Sequence, residues 1–289
     1  MAKQTPSSFP SSDVVFLDRG NGTSVLVHLH GATVLSWKCQ GQEVLFLSEK
    51  AVFDNKKAIR GGIPVVFPNF GPWDLGPQHG FARTKRWQAE TPARTDSAGN
   101  VVAEFVLQDD EATRAIWDFR FKVVYTVQVM EKTVTMNVAV NNLGSKDFDF
   151  TCLLHTYFRI PDISKTAVMG LQNTKYVDKV RDGEEVTEAR EEIRIDENYD
   201  RVYMDTPSEI VVGKVADGSH SIIMQTMNFP DTVVWNPWAD KAKAMSDFGD
   251  DEYSNMVCVE AGYVAHRVQL NTGQQFVCSQ KLTFVPATQ

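Results

Sequence analysis

Cysteine is scarce in this sequence, with Cys39, Cys152, Cys258 and Cys278 as the 4 present in 289 residues. None belongs to a Cys-x-x-Cys pair, so spacing supports neither a zinc site nor a redox motif. Three of them sit in apolar, strand-like runs and read as buried thiols in a reducing compartment, with two disulfides in an exported protein as the alternative. Positive charge is also in deficit: 29 Lys and Arg against 37 Asp and Glu give a formal net charge of -8. With no basic run to offset it, that balance excludes a protein held by nucleic-acid phosphates or by anionic lipid. No apolar run approaches the length of a membrane span, and residues 1–12 are polar, without the hydrophobic stretch of a secretory signal. The expected compartment is the cytosol, and residues 1–12 are expected to form a flexible N-terminus. GxSxG, GxxxxGK and HExxH are all absent, so serine hydrolases, P-loop enzymes and common zinc proteases lack their signatures.

What is present is enough apolar residue to build a large core, 43% hydrophobic with 23% charged. Short β-forming runs punctuated by Gly, Asn and Pro recur along the chain. The strongest are 119–130 and 133–141, separated by Glu131-Lys132. In the first, Phe119, Phe121, Val123, Tyr125, Val127 and Val129 share a face by the period of two, and in the second Val134, Met136, Val138 and Val140 do. Further strands are expected at 101–108, 148–157, 210–215, 221–227, 256–259, 268–270 and 276–285, and helices at 110–116 and 239–248. The charged stretch 178–198 reads as an exposed segment. With no repeat and no linker, residues 1–289 are expected to form one large antiparallel β-sandwich, all-β in class.

The chain is organised around Arg60-Gly61-Gly62-Ile63-Pro64-Val65-Val66-Phe67-Pro68-Asn69-Phe70-Gly71-Pro72, leading to Gln78-His79-Gly80-Phe81-Ala82-Arg83. So much Gly and Pro among large apolar groups makes a long shaped loop, and such loops are commonly binding elements. Arg60, Gln78, His79 and Arg83 at its ends mark it as one wall of a pocket, the alternative being a rigid corner with solvated arginines. In an acidic protein, an anion must be drawn by positive potential focused in a cleft, and Arg60 and Arg83 are the candidates. His155, Asp200 and Glu260 each lie in or beside an apolar run. A buried carboxylate costs several kcal/mol unless paired, so Glu260 points to function or to a salt bridge, unless it is a strand end facing solvent. His155 is either half of an acid–base pair with a carboxylate or a core histidine bonded to backbone. His28 and His30 share a strand face, but no third ligand lies nearby, and they read as structural. Phe67, Phe70, Trp73, Phe81, Trp235 and Trp238 accompany these polar groups, a combination suited to the C–H faces and hydroxyl edges of a sugar.

Four motifs, in this order, carry a resemblance: Arg60-Gly61-Gly62-Ile63-Pro64 with Phe67-Pro68; His79-Gly80-Phe81-Ala82-Arg83; Leu154-His155-Thr156-Tyr157-Phe158; and Val259-Glu260-Ala261-Gly262. From about residue 13 to 283 the chain resembles the glucose-6-phosphate 1-epimerase branch of the aldose 1-epimerases. The resemblance implies a galactose-mutarotase-like β-sandwich and interconversion of hexose 6-phosphate anomers by ring opening and closure. It implies that His155 is the acid on the ring oxygen, that Glu260 is the base on the anomeric hydroxyl, and that Arg60, Gln78, Arg83 and Asp200 bind substrate. No cofactor and no metal are implied, a sugar phosphate is the expected partner, and a monomer is the simplest expectation. Two rivals remain: a non-catalytic carbohydrate-binding sandwich, and a mutarotase for unphosphorylated aldoses.

Overall fold

The hairpin between Phe121–Val129 and Thr133–Asn142 forms the centre of the larger sheet, because alternate residues of both strands are apolar and bury together. Phe121, Val123, Tyr125, Val127 and Val129 are fully enclosed while the residues between them are half-buried. Each such Val or Phe contributes on the order of 1.5–3 kcal/mol relative to exposure. Around this hairpin a ten-stranded sheet runs from Glu192–Ile193 through Val168–Met169, Glu209–Val215, His220–Met227 and Gln275–Pro286 to Val101–Gln108 and Gln88–Ala89. The computed structural model describes residues 8–90 and 92–287.

An eight-stranded sheet packs against it, in the order Glu184–Thr187, Lys175–Asp178, Tyr199–Tyr203, Asp231–Asn236, Met256–Leu270, Phe148–Leu154 and Val65–Val66, with Tyr157–Arg159 also on Met256–Leu270. Val127, Val138 and Phe284 from the first sheet and Phe150, Val234 and Val259 from the second belong to one core. A four-stranded sheet, Val14–Gly20, Thr23–His28, Thr33–Cys39 and Gln42–Glu43, joins the same core through Leu17, Val25 and Trp37. The pairings between these strands are antiparallel, and the architecture is the all-β sandwich expected.

Several expectations are refined. Residues 256–259 and 268–270 belong to one strand, Met256–Leu270, so Glu260 lies inside a strand rather than at its end. Conversely, 148–157 is interrupted at His155 and Thr156. The helix at 239–248 is the shorter Trp238–Ala244, and Glu111–Ile116 is closed by a capping box in which Asp110 accepts from the Thr113 N–H at 2.6 Å. The charged stretch is not wholly exposed. Asp178 and Glu188 are buried at 3% exposure, where they accept hydrogen bonds from Arg201 and from Arg190 and Tyr203. His28 and His30 are buried structural groups: His28 Nδ1 accepts from the His30 N–H, and the His30 ring meets the Lys57 carbonyl. All four cysteines are buried and unpaired. Of the expected N-terminal segment, residues 1–7 lie outside the described residues, while Phe9 packs edge-on against His28 and Phe53.

Candidate active site

Strand register creates the site. Leu154 pairs with Ala261 and Tyr157 with Cys258, so counting inward from both sides sets His155, in the break between its strands, opposite Glu260. On the other side Glu260 pairs with Val233, and one step along, Trp235 pairs with Asp200. Directly opposed residues share a face, and residues two apart along a strand do as well. Val257, Val259, Ala261 and Val234 therefore enter the core between the sheets, while Glu260, His155, Asp200, Val233 and Trp235 line a cavity on the outer face.

The loop 60–83 forms the second wall. Val65–Val66 pairs with Leu154 and Leu153, which carries the loop to the edge of the strand preceding His155. Gly80 makes the return turn: its φ is +69°, and a Cβ there would stand 2.2 Å from the Phe67 carbonyl oxygen. His79 is thereby fixed, its N–H donating to the Gly71 carbonyl at 2.9 Å and its Nδ1 accepting from the Gly71 N–H at 3.2 Å. A third element, Trp238–Ala244 and the residues after it, supplies Lys241, Met245 and Asp247.

The cavity measures about 400 Å³ and is lined by all seven candidate residues: Arg60, Gln78, His79, Arg83, His155, Asp200 and Glu260. Its volume falls in the range of small-molecule sites, about 300–1,000 Å³. His155 Nδ1 lies 3.3 Å from Glu260 Oε1, at 8% and 1% residue exposure. The approach is not a hydrogen bond, and His155 Nδ1, Glu260 Oε2 and the Nε atoms of Arg60 and Arg83 are all buried without a hydrogen-bond partner. Four such atoms around one cavity leave a set of donors and acceptors available to a ligand. A second cavity of about 650 Å³ lies beside the four-stranded sheet at Ser36, Glu43 and Arg159, but Glu43 already accepts from the Ser36 hydroxyl and from the Trp37 and Leu45 N–H groups.

Charge in the first cavity is arranged in two groups. Arg60 donates to the Tyr157 hydroxyl at 3.1 Å and pairs with Asp247 at 3.2 Å, and Arg83 donates to the Gln78 carbonyl at 3.0 Å. Burial pulls the Arg83 pKa down to about 10, which leaves it charged at neutral pH. In the second group, Asp200 lies 4.0 Å from Lys241, and the Lys179 ammonium sits 4.1 Å above the Phe70 ring. Burial raises the Asp200 pKa, with both lysines opposing the shift. His155 stacks on Tyr157, ring centroids 4.7 Å apart, and meets His79 and Trp235 edge-on. Burial, reinforced by His79, Arg83 and Arg60, holds the His155 pKa well below its usual value. Burial and the nearby Asp200 charge push that of Glu260 well above the carboxylate range. His79 is driven down to about 3 by burial, then by Arg83, Lys179 and Arg60. Groups so displaced, gathered in a cleft, mark it as a candidate site for proton transfer.

The aldose 1-epimerase profile matches residues 13–283. A Cenchrus ciliaris protein provisionally named glucose-6-phosphate 1-epimerase is 35% identical, the match covering 99% of this chain and 88% of the relative. The chain belongs to the aldose 1-epimerase family. A similarly named Escherichia coli protein is 35% identical, covering 82% of this chain and 79% of its own. A crystal structure from Salmonella typhimurium, provisionally described as a mutarotase, superposes with a TM-score of 0.86 at 30% identity over 95% of this chain and 92% of that one. The galactose 1-epimerase structure from Lactobacillus acidophilus, at 14% identity and a TM-score of 0.72 over 94% of each chain, shares the fold.

Within this epimerase fold, sequence reasoning passed over Lys179, Lys241, Asp247 and the stacking of Tyr157 on His155. Lys179 follows the strand Lys175–Asp178, next to the sheet edge, and reaches the cavity because its N–H donates to the Asp200 carbonyl at 2.9 Å. Nothing in its local pattern marks it. Tyr157 was visible within the Leu154–Phe158 motif, two residues from His155 and so on the same face. Of the six aromatics singled out, Phe70 and Trp235 line the cavity, whereas Phe67 and Phe81 are core. No helix of the described residues is long and apolar enough to cross a membrane.

Proposed function

We infer that this aldose 1-epimerase interconverts the α and β anomers of glucose 6-phosphate, with His155 and Glu260 as its acid and base. The observation that carries the reading is the facing pair itself, 3.3 Å apart, each member presenting a buried and unpartnered polar atom to a cavity that also holds two arginines. The provisional names of the relatives point to the same substrate.

The chemistry requires one proton to be given to the ring oxygen as another leaves the anomeric hydroxyl. These oxygens are bonded to the same carbon, so the two groups that serve them must lie close together, as this pair does. Imidazolium His155 donates to the ring oxygen and carboxylate Glu260 accepts from the hydroxyl. The C1–ring oxygen bond breaks and the open-chain aldehyde forms. Rotation about C1–C2 presents the other carbonyl face, and the same groups with roles reversed close the ring. The C6 substituent branches from the carbon on the far side of the ring oxygen, so a phosphate there falls on the His155 side, toward Arg60 and Arg83. Guanidinium groups suit phosphate through charge-assisted, directional hydrogen bonds. Asp200 and Gln78 are left for the sugar hydroxyls, with Phe70 and Trp235 against its C–H faces. Spontaneous mutarotation is already appreciable, and about 10² to 10⁴ from each positioned acid or base suffices to accelerate it.

Anomer-exchange NMR on glucose 6-phosphate and glucose in parallel tests this. Faster exchange of glucose 6-phosphate, by at least about 2 kcal/mol in kcat/KM as expected for charge-assisted hydrogen bonds, is the predicted result. Equal rates would make the enzyme a general aldose mutarotase, and no exchange with either would leave a carbohydrate-binding sandwich.

A further inference from the structure

Cys258 stands two residues before Glu260 on the outer face of Met256–Leu270, enclosed by Tyr157, Trp235 and Phe46. Neither the acid–base pair nor the phosphate contacts use it. Yet its Sγ, one nitrogen of His155 and one carboxylate oxygen of Glu260 all lie within 4.8 Å of one another. We propose that His155, Cys258 and Glu260 form a binding site for a thiophilic divalent cation such as Zn²⁺, and that its occupation switches the enzyme off.

Nitrogen, thiolate and carboxylate are the donors that zinc takes, at about 2.0–2.3 Å, and three protein ligands with one open position is the arrangement of an accessible zinc. Ligand atoms on a tetrahedral ion stand roughly 3.5 Å apart by those bond lengths. The His155–Glu260 separation of 3.3 Å already matches, and the sulfur is brought in by a contraction of about 1 Å. His155 Nδ1 and Glu260 Oε2 are buried without hydrogen-bond partners, so the ion breaks no bond that those atoms make. The thiol proton leaves to solvent as the S–metal bond forms, and Met, Phe and Trp neighbours close the sulfur side. The open position faces the cavity. With its two proton carriers engaged by the ion, the pair can serve neither the ring oxygen nor the anomeric hydroxyl. The sequence hid this site because His155 is remote from Cys258 and Glu260 in the chain and is joined to them only by strand register.

Metal binding is measurable apart from turnover, so the test does not depend on the epimerase assignment. Titration of the full chain with Zn²⁺ alone by calorimetry, and with Co²⁺ alone by absorption, should show one ion bound with proton release and a sulfur-to-cobalt charge-transfer band. Cys258→Ala should lose that band and at least about tenfold in affinity, which is the loss even an outer-shell partner typically causes. Glu260→Gln should keep the band but bind more weakly, so one variant remains informative if the other fails to fold. Zn²⁺ should inhibit anomer exchange in the parent, chelator should restore it, and Cys258→Ala should need at least about tenfold more Zn²⁺ for the same inhibition. Absence of the band, or unchanged Zn²⁺ affinity in both variants, would overturn the proposal and place any bound ion elsewhere on the protein.

Discussion

Glu260, the proposed base, sets its proposed role against stability. Its carboxyl pKa is raised by burial, so the unfolded chain loses this proton at lower pH than the folded one. The folded state is therefore favoured by the protonated form below the unfolded value near 4.5, and that contribution is lost as pH rises toward the folded value. Glu260→Gln keeps the shape and removes the ionisation. It should lower kcat/KM for anomer exchange by at least about a hundredfold, the contribution of a positioned base. Its melting temperature relative to the parent should improve from pH 5 to pH 8. His155→Ala should cause a loss of activity of similar size. Near-normal rates in both variants would remove the pair from the chemistry, and a stability difference independent of pH would show that Glu260 is not held against its ionisation.

At the scale of elements, the loop 60–83 is positioned by glycines whose backbone positions are crowded to different degrees. Gly80 and Gly71 both adopt left-handed φ, +69° and +77°, but an added Cβ meets the Phe67 carbonyl oxygen at 2.2 Å in the first case and nothing within 4 Å in the second. Gly71→Ala should cost only the backbone penalty, about 1 kcal/mol. Gly80→Ala adds displacement of the turn carrying Gln78, His79 and Arg83, and should cost at least about 2 kcal/mol together with a raised KM for the phosphorylated sugar. Equal denaturation midpoints for the two variants would contradict this difference. The loop was legible in the sequence because Gly and Pro declare special backbone directly. Strand interiors were legible where one face alone is buried, as in Phe121–Val129. Met256–Leu270 is not legible as one strand, because residues 256–262 bury both faces and residues 263–267 are half-buried or exposed, so no alternation spans it and Glu260 resembles a strand end. Register was invisible as well, and with it the approach of Cys258, Lys179 and Asp247 to residues far away in the chain.

For the whole molecule, histidines buried uncharged contribute to acid sensitivity. Burial lowers His28 to about 4, and lowers His79 to about 3 with help from Arg83. The unfolded chain takes up protons at these sites near pH 6.5, whereas the folded chain takes them up only at the depressed values. Stability is therefore fully present above about pH 6.5 and is lost as pH falls toward about 4, by up to about 1.4 kcal/mol per pH unit for each such histidine. In His28→Asn an amide oxygen can still accept the His30 N–H, so this variant should show a shallower fall of melting temperature between pH 6.5 and 4.5. An unchanged slope would assign acid sensitivity to other groups.

The net charge of -8 contrasts with a cavity whose arginines oppose the charging of His155, the proposed acid. Burial favours the uncharged forms of both His155 and Glu260, the protonation pattern complementary to the open-chain aldehyde. Ring opening needs the reverse, an imidazolium and a carboxylate. Arg60 and Arg83 both oppose charging of His155, and a dianion bound between them cancels that opposition. Two unit charges about 6 Å apart at an effective dielectric constant of about 20 interact by nearly 3 kcal/mol, so even partial cancellation is felt in the rate. On this reading the substrate phosphate also charges the acid. Xylose lacks C6 and leaves the phosphate position free, so phosphite dianion added to xylose should restore the missing charge in trans. It should raise kcat for xylose anomer exchange by about tenfold, equivalent to about 1.4 kcal/mol. The rise should vanish in Arg60→Ala, which keeps His155 and Glu260 but loses half of the anion site. Inhibition by phosphite in the parent, or equal activation in Arg60→Ala, would show that the arginines only hold the phosphate and leave the protonation of His155 to burial alone.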